Sequence, residues 1–164
     1  HAFRGFLFAG LMMTSDGVKT LEFNVRMGDP ETQCILSRIE AGFVETVFEA
    51  STGTTSGAYL RSRAGASACI VMAAHGYPGT VRQGDEISGI DRAEQSGVRV
   101  FEAGTKWQEG KRVTAGGRVL GVTASAPKLA DALERAYQGV QQIEFAGAQY
   151  RRDIGKKGLK RYTT

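Results

Sequence analysis

The first residues of the chain show a hydrophobic pattern that predicts a β-hairpin. Residues 5–14 are apolar on both faces, which is typical of a central strand covered on each side, and Ser15-Asp16-Gly17 has the composition of a turn. A second strand is predicted over residues 18–26. Because successive strand side chains point to opposite faces, one face is apolar and is expected to join the core. That face carries Leu21, Phe23 and Val25, and the opposite face carries Thr20, Glu22, Asn24 and Arg26.

Helix-forming signals follow the hairpin. Asp29 suits an N-cap, Pro30 suits the first helical position, and the negative charge of Glu31 is favourable near a helix amino terminus. This predicts a helix that ends near Ala41-Gly42. Its inward residues are Ile35, Leu36 and Ile39.

A second, shorter helix is predicted from apolar residues at helical spacing, and a polar stretch over residues 51–57 follows it. We place a domain boundary there, which gives domains 1–57 and 58–164. The apolar residues of this helix are Phe43, Val44, Val47 and Phe48.

Beyond the boundary, short β segments are separated by glycines, and one long amphipathic helix is predicted over residues 127–142. Residues 108–111 suit a hairpin turn, Trp107 is expected in a loop, and residues 150–162 form a basic end that is either a short helix or a frayed tail. The predicted fold class is α+β, with a small mixed β-sheet carrying one packed helix in the second domain. The predicted strands are residues 66–74, 85–90, 98–103, 112–114 and 118–124.

Composition narrows the functional classes. The chain has 164 residues, of which 41% are hydrophobic, and 21 basic against 17 acidic residues give a net charge of +4. This mild excess suits phosphorylated small molecules, whereas nucleic-acid binding calls for a denser basic surface. Cys34 and Cys69 lie far apart without further ligands at metal-binding spacing, so a cytoplasmic protein without zinc or disulfides is expected. The longest apolar runs are too short for a membrane span.

The polar face of the second strand carries the candidate chemistry. Glu22 and Asn24 are two residues apart, roughly 6 to 7 Å along a strand, and their oxygens suit a magnesium ion that also binds nucleotide phosphates. Arg26 follows on the same face, where its guanidinium suits a phosphate. The alternatives are an ordinary surface strand face and an ion pair of Arg26 with Glu22 or Asp29.

The run from Leu21 to Gln33 resembles the metal-binding strand of ATP-grasp ligases, and its Gly-Asp-Pro-Glu-Thr-Gln ending resembles the glycinamide ribonucleotide synthetase family. Met27 departs conservatively from the Phe or Leu expected there. The resemblance implies that residues 1–57 end an ATP-grasp domain. It implies Glu22 and Asn24 as ligands of Mg²⁺ or Mn²⁺, Arg26 as a catalytic residue, and Asp29 near the substrate amine. It also implies ATP, glycine and 5-phosphoribosylamine as substrates.

The second domain carries further motifs that resemble this family. Among them, Gly117 would let the backbone approach a ligand, and Arg118 would reach a ribose 5-phosphate. The alternative is a tight hairpin with a solvent-exposed Arg118. The motifs are Gly76-Tyr-Pro-Gly79, Val100-Phe-Glu-Ala-Gly-Thr105, Thr114-Ala-Gly-Gly-Arg-Val-Leu-Gly-Val-Thr123 and Tyr150-Arg-Arg-Asp-Ile-Gly155.

The resemblance covers only the carboxyl-terminal part of such an enzyme. The chain opens within an apparent strand, and the glycine-rich nucleotide loop and ATP-grasping lysines of the family are not found in it. We therefore expect a fragment that requires the amino-terminal part of the same enzyme and is inactive alone. The alternatives are a non-catalytic binding or assembly module with the same fold, and another ATP-grasp ligase such as a carboxylase subunit.

Overall fold

The computed structural model describes residues 3–54 and 60–161. The chain divides into two compact units, of which the first comprises His1–Thr32 and Ile39–Arg63 and the second comprises Gln33–Arg38 and Ala64–Thr164. The predicted boundary between residues 57 and 58 lies outside the described residues. Each unit is considered by itself below.

The predicted hairpin is present in the first unit. Strand β1 (Phe8–Thr14) pairs antiparallel with β2 (Gly17–Asn24). The Thr14 hydroxyl donates a 2.8 Å hydrogen bond to the Gly17 carbonyl and so closes the turn. Gly17 has a φ of +100°, which a side chain would disfavour. The described residues give β1 one strand partner, β2, so it is not the central strand that its apolar faces predict.

A β-bulge interrupts the alternation predicted for β2. Leu11 pairs with Thr20, whereas the preceding residue Gly10 pairs with Glu22, so Leu21 is an additional residue on the second strand. Because Gly10 and Leu11 point to opposite faces, Thr20 and Glu22 do so too. The prediction that Thr20 shares the face of Glu22 and Asn24 is therefore wrong.

The segment after the hairpin differs from its prediction in length. Helix α1 begins at Glu31, one residue later than predicted, and ends at Leu36. The Ser37 hydroxyl donates to the Cys34 carbonyl at 3.0 Å, which competes with continued helical bonding. Residues predicted as the end of this helix instead form a strand, β3 (Ile39–Ala41), that pairs with β4 (Arg61–Ser62). The second predicted helix is confirmed as α2 (Phe43–Thr52), which also takes in the start of the predicted polar stretch.

The first unit buries almost nothing. Gly28 is the only buried residue among its described members. The apolar face of β2, predicted to join the core, is exposed because the described part of this unit offers no layer to cover it. The exposed large apolar side chains of this unit are Phe3, Phe6, Leu7, Leu11, Met12, Met13, Val18, Leu21, Phe23, Val25, Val44, Phe48 and Leu60.

The second unit contains a three-stranded sheet in which β9 (Arg118–Ala126) lies between β5 (Ala66–Ala73) and β6 (Arg99–Glu102). Both pairs are antiparallel, so this sheet is antiparallel rather than mixed. A separate ribbon joins β7 (Thr105–Gln108) to β8 (Lys111–Thr114). The predicted turn at residues 108–111 is confirmed, while Trp107 lies within β7 rather than in a loop.

Three further helices lie among the described residues of the second unit. The long amphipathic helix is confirmed as α4 (Leu129–Val140), and the basic end contains a short helix, α5 (Lys156–Arg161). The strand predicted over residues 85–90 is reduced to isolated bridges at Glu86 and Ser88. Gly89, at a φ of +83°, then leads into α3 (Ile90–Gln95), which the sequence pattern did not indicate.

The hydrophobic core belongs to this second unit. Helix α4 packs against β5 and β9, and the largest side chains between them are almost fully buried. Burying each of these contributes about 1.5–3 kcal/mol relative to leaving the side chain exposed. The largest buried side chains are Ile70, Met72, Leu120, Val119, Val122 and Val140.

Candidate functional site

Glu22 and Asn24 lie on one face at the end of β2. Glu22 is exposed, and it pairs with Gly10 of β1. A Cβ placed on Gly10 would lie 3.1 Å from the Glu22 Cγ, so the absence of a side chain at residue 10 leaves room for Glu22 to lie across β1. Glu22 and Asn24 share this face by regular strand alternation, and the bulge immediately before Glu22 puts Thr20 on the opposite face.

The amide of Asn24 has an unmet bonding requirement. The side chain is half-buried, and its Nδ2 is buried without a hydrogen-bond partner among the described residues. Rotation of the amide group exchanges its nitrogen and oxygen, so the same amide can present Oδ1 to a cation. A buried polar group without a partner costs about 1–3 kcal/mol, which a ligand would offset.

These two side chains fit a hard divalent cation. A carboxylate and an amide oxygen are ligands that Mg²⁺ prefers, and Mg²⁺ commonly uses only one or two protein groups together with phosphate oxygens and water. Within residues 3–54 and 60–161, no group of three or more His, Cys, Asp or Glu side chains is arranged to hold a metal. The arrangement suits a cation shared with a phosphorylated ligand.

Arg26 and Asp29 lie beyond the strand. β2 ends at Asn24, so Arg26 is in a bend and not on the continued strand face that the sequence predicted. Its Nη1 donates to the Met27 carbonyl at 3.1 Å. Asp29 is exposed in the turn before α1, and Pro30 rather than Asp29 immediately precedes the helix.

Gly28 explains how this turn stays close to the hairpin. It is buried, and a Cβ on it would lie 2.8 Å from the Phe8 ring and 2.5 Å from the Glu31 carboxylate. The Thr32 amide donates to the Gly28 carbonyl at 2.9 Å, which closes the first turn of α1. Asp29 therefore follows a glycine that packs against Phe8, the strand partner of Asn24, and it lies two residues before the start of α1.

Gly117 and Arg118 belong to the second unit, apart in sequence from the other predicted site residues. Arg118 is exposed and opens β9, where it pairs with Ala73 at the end of β5. The Gly117 carbonyl accepts a 2.8 Å hydrogen bond from the Ala74 amide. The alternative of a tight hairpin is wrong, because β8 and β9 belong to different sheets.

Tyr77 and Val81 of the same unit occupy the space that a side chain at Gly117 would need. A Cβ on Gly117 would lie 2.6 Å from Cδ2 of Tyr77 and 3.5 Å from Cγ1 of Val81. Gly116 similarly faces Gly104, whose amide donates to the Arg118 carbonyl at 2.9 Å. These close contacts explain why residues 116 and 117 are glycines, and a substrate role for Gly117 stays a prediction.

Family models match most of the chain. The phosphoribosylglycinamide synthetase C domain matches residues 67–157, and the ATP-grasp (A) domain of the same synthetase matches residues 1–32. The chain belongs to the phosphoribosylglycinamide synthetase family. The second match contains Glu22, Asn24, Arg26 and Asp29, and the first contains Gly117 and Arg118.

Known members of the phosphoribosylglycinamide synthetase family align along nearly the whole chain. A phosphoribosylamine–glycine ligase from Synechocystis is 49% identical over 160 residues, which is 96% of this chain and 38% of that protein. The chicken trifunctional purine biosynthetic protein adenosine-3 is 45% identical over 94% of this chain and 16% of its own length. The crystal structure of the Thermotoga maritima phosphoribosylamine–glycine ligase superposes with a TM-score of 0.80 at 38% identity, covering 93% of this chain and 37% of that one. The chain thus spans under two fifths of these ligases.

Sequence reasoning missed two structural features around the candidate residues. The bulge at Leu21 puts Thr20 on the face opposite Glu22, and Tyr77 covers Gly117. The Gly76-Tyr-Pro-Gly79 motif lies in a turn, but a single sequence carries no signal for what a turn packs against. In the part of the chain that the structure describes, none of the helices combines the length and apolarity needed to cross a membrane.

Proposed function

We propose that this chain is the carboxyl-terminal part of a cytoplasmic phosphoribosylamine–glycine ligase. Together with the amino-terminal part of that enzyme, it joins glycine to 5-phosphoribosylamine at the expense of ATP, yielding glycinamide ribonucleotide, ADP and phosphate. The single observation that carries this proposal is the pair of Glu22 and the partnerless amide of Asn24 on one strand face, inside the stretch that matches the ATP-grasp domain.

Each candidate residue has a role in this proposal. Glu22 and Asn24 hold Mg²⁺ or Mn²⁺, and that ion neutralises charge on the ATP phosphates. Arg26 contributes positive charge for the phosphoryl group that passes to the glycine carboxylate. Asp29, in the turn beside them, holds the amine that attacks the resulting acyl phosphate. In the second unit, Arg118 binds the 5-phosphate, and Gly117 keeps the backbone beside it without a side chain.

The exposed apolar surface of the first unit supports the need for a partner segment. Large apolar side chains crowd both faces of the β1–β2 hairpin, and isolated two-stranded hairpins have little stability in water. The matching ligases contain more than half of their length outside the aligned region. We assign the cover of this hairpin to the amino-terminal part of the same enzyme.

The experiment compares the chain alone with a complete enzyme. The complete enzyme is a fusion in which the amino-terminal part of the Synechocystis relative, up to the aligned region, precedes this chain. We expect no glycine-dependent ATP hydrolysis from the 164 residues alone and restored hydrolysis from the complete enzyme. Activity of the chain alone would contradict the need for the amino-terminal part. An inactive complete enzyme that folds normally would favour a non-catalytic assembly module.

A further inference from the structure

Tyr77 is placed beside the candidate phosphate-binding residue by the sheet itself. β5 and β9 are antiparallel, so the end of β5 and the start of β9 lie at the same end of the sheet. Ala73, the last residue of β5, pairs with Arg118, the first residue of β9. The loop that carries Tyr77 therefore leaves the sheet at the position where Arg118 enters it.

The Tyr77 loop is held by its own hydrogen bonds. The Tyr77 amide donates to the Ala74 carbonyl at 3.2 Å, and the Gly79 amide donates to the Gly76 carbonyl at 2.8 Å. The Arg82 amide closes the loop by donating to the His75 carbonyl at 3.0 Å. These bonds fix the direction in which the Tyr77 side chain leaves the backbone.

The Tyr77 ring is anchored, but its hydroxyl is not. The ring packs against Gly117 and takes up the space that a side chain there would need. The side chain remains 39% exposed, and its hydroxyl has no hydrogen bond to the residues that the structure describes. Packing against Gly117 requires only the apolar body of the ring, so the exposed hydroxyl remains available to exchange water for a ligand.

We propose that the Tyr77 hydroxyl donates a hydrogen bond to the phosphorylated sugar substrate, next to Arg118. The inference rests on the proposed function. It assigns Tyr77 as a binding residue for the phosphorylated amine and not for glycine or ATP. An immobilised ring gives the hydroxyl a fixed position, so little conformational entropy is lost when the substrate binds.

The experiment uses the complete enzyme and the variants Tyr77→Phe and Tyr77→Ala. Tyr77→Phe removes the hydroxyl and keeps the ring over Gly117, so we expect the KM for phosphoribosylamine to rise about tenfold, as loss of one hydrogen bond to a charged group requires. The kcat and the KM values for glycine and ATP should stay within about twofold of the wild type. Tyr77→Ala should raise the same KM further, because the ring no longer supports Gly117.

Tyr150→Phe is the matched control. Tyr150 is a partly buried tyrosine of the same unit whose ring packs against Tyr137 rather than against Gly117. We expect its kinetics to match the wild type. Wild-type kinetics in Tyr77→Phe, or an equal rise in all three KM values, would overturn the inference while the proposed function stands. Absence of glycine-dependent hydrolysis in the wild-type complete enzyme would overturn both.

Discussion

Replacing Gly117 by alanine tests the close approach between this residue and the Tyr77 ring. The added Cβ would lie 2.6 Å from Cδ2 and 3.1 Å from Cε2 of Tyr77, which is too close for carbon atoms in contact. Either the ring moves outward or the backbone at residue 117 shifts. The φ of Gly117 lies outside the left-handed region, so the effect of the alanine comes from this contact and not from backbone strain.

The size of the effect follows from two opposing contributions. Overpacking a well-packed site costs about 1–3 kcal/mol, and the half-exposed ring of Tyr77 places this case in the lower part of that range. Replacing glycine by alanine at an unstrained position recovers about 0.4–1 kcal/mol by restricting the unfolded chain. We therefore expect Gly117→Ala to lower the free energy of unfolding by about 1 kcal/mol and the urea midpoint by about 0.3–1 M.

A double-mutant cycle isolates the contact between the two residues. Urea unfolding of the 164-residue chain, followed by circular dichroism, would compare the wild type, Gly117→Ala, Tyr77→Ala and the double variant. Removing the ring also removes the clash, so in the Tyr77→Ala background only the stabilisation by alanine, about 0.4–1 kcal/mol, should remain. Gly79→Ala is the control, because its Cβ would meet only the Gly76 carbonyl, at 3.3 Å. An equal cost of Gly117→Ala in both backgrounds would refute the packing argument.

Two further predictions concern charged groups. In the complete enzyme, Glu22→Gln and Asn24→Ala should each lower glycine-dependent turnover at least about tenfold and raise the Mg²⁺ concentration needed for half-maximal activity, whereas Thr20→Ala, on the opposite face, should change neither. Equal losses in all three variants would contradict the face assignment. In the second unit, the hydrogen bond from Arg151 to Asp153, with the attraction between their charges, lowers the pKa of Asp153. Its stabilisation is therefore present above the ordinary pKa of the carboxyl and is lost as the pH falls through the lowered value. An NMR titration should show the Asp153 midpoint rising in Arg151→Gln, and an unchanged midpoint would rule out this cause.

The sequence predicted the second unit well where each element carries its own signal. Helix α4 has an apolar stripe over three turns, and β5 and β9 are long apolar runs, so pattern and burial agree. Helix α3 was missed because it is only six residues long and follows two single bridges that look like a strand in the sequence. Short elements take their conformation from tertiary contacts, such as the bond from the Ser88 amide to the Glu144 carbonyl.

The two residues of the candidate metal site were predictable from the sequence, but which neighbours share their strand face was not. Glu22 and Asn24 were selected by spacing and by the resemblance of the surrounding run, and they do share a strand face. The bulge at Leu21 has no sequence signal that strand periodicity can detect, although it decides which residues join them. The early end of β2 likewise removes Arg26 from the strand and gives its guanidinium a backbone carbonyl to bind.

The two units differ in burial, and this difference explains why hydrophobic periodicity predicted the buried residues of the second unit but not those of the first. Alternation and helical spacing identify which face of an element is apolar, and in the second unit that face meets a core. In the first unit the same signals identify faces correctly, but Phe23, Val25 and Phe48 remain exposed. Burial depends on residues that supply the opposite layer, and the ligases that match this chain carry more than half of their length beyond the aligned region. The exposed apolar faces of the hairpin therefore fit such a layer, and we expect the candidate metal ligands Glu22 and Asn24, at the end of the hairpin, to need the same layer to hold them in place.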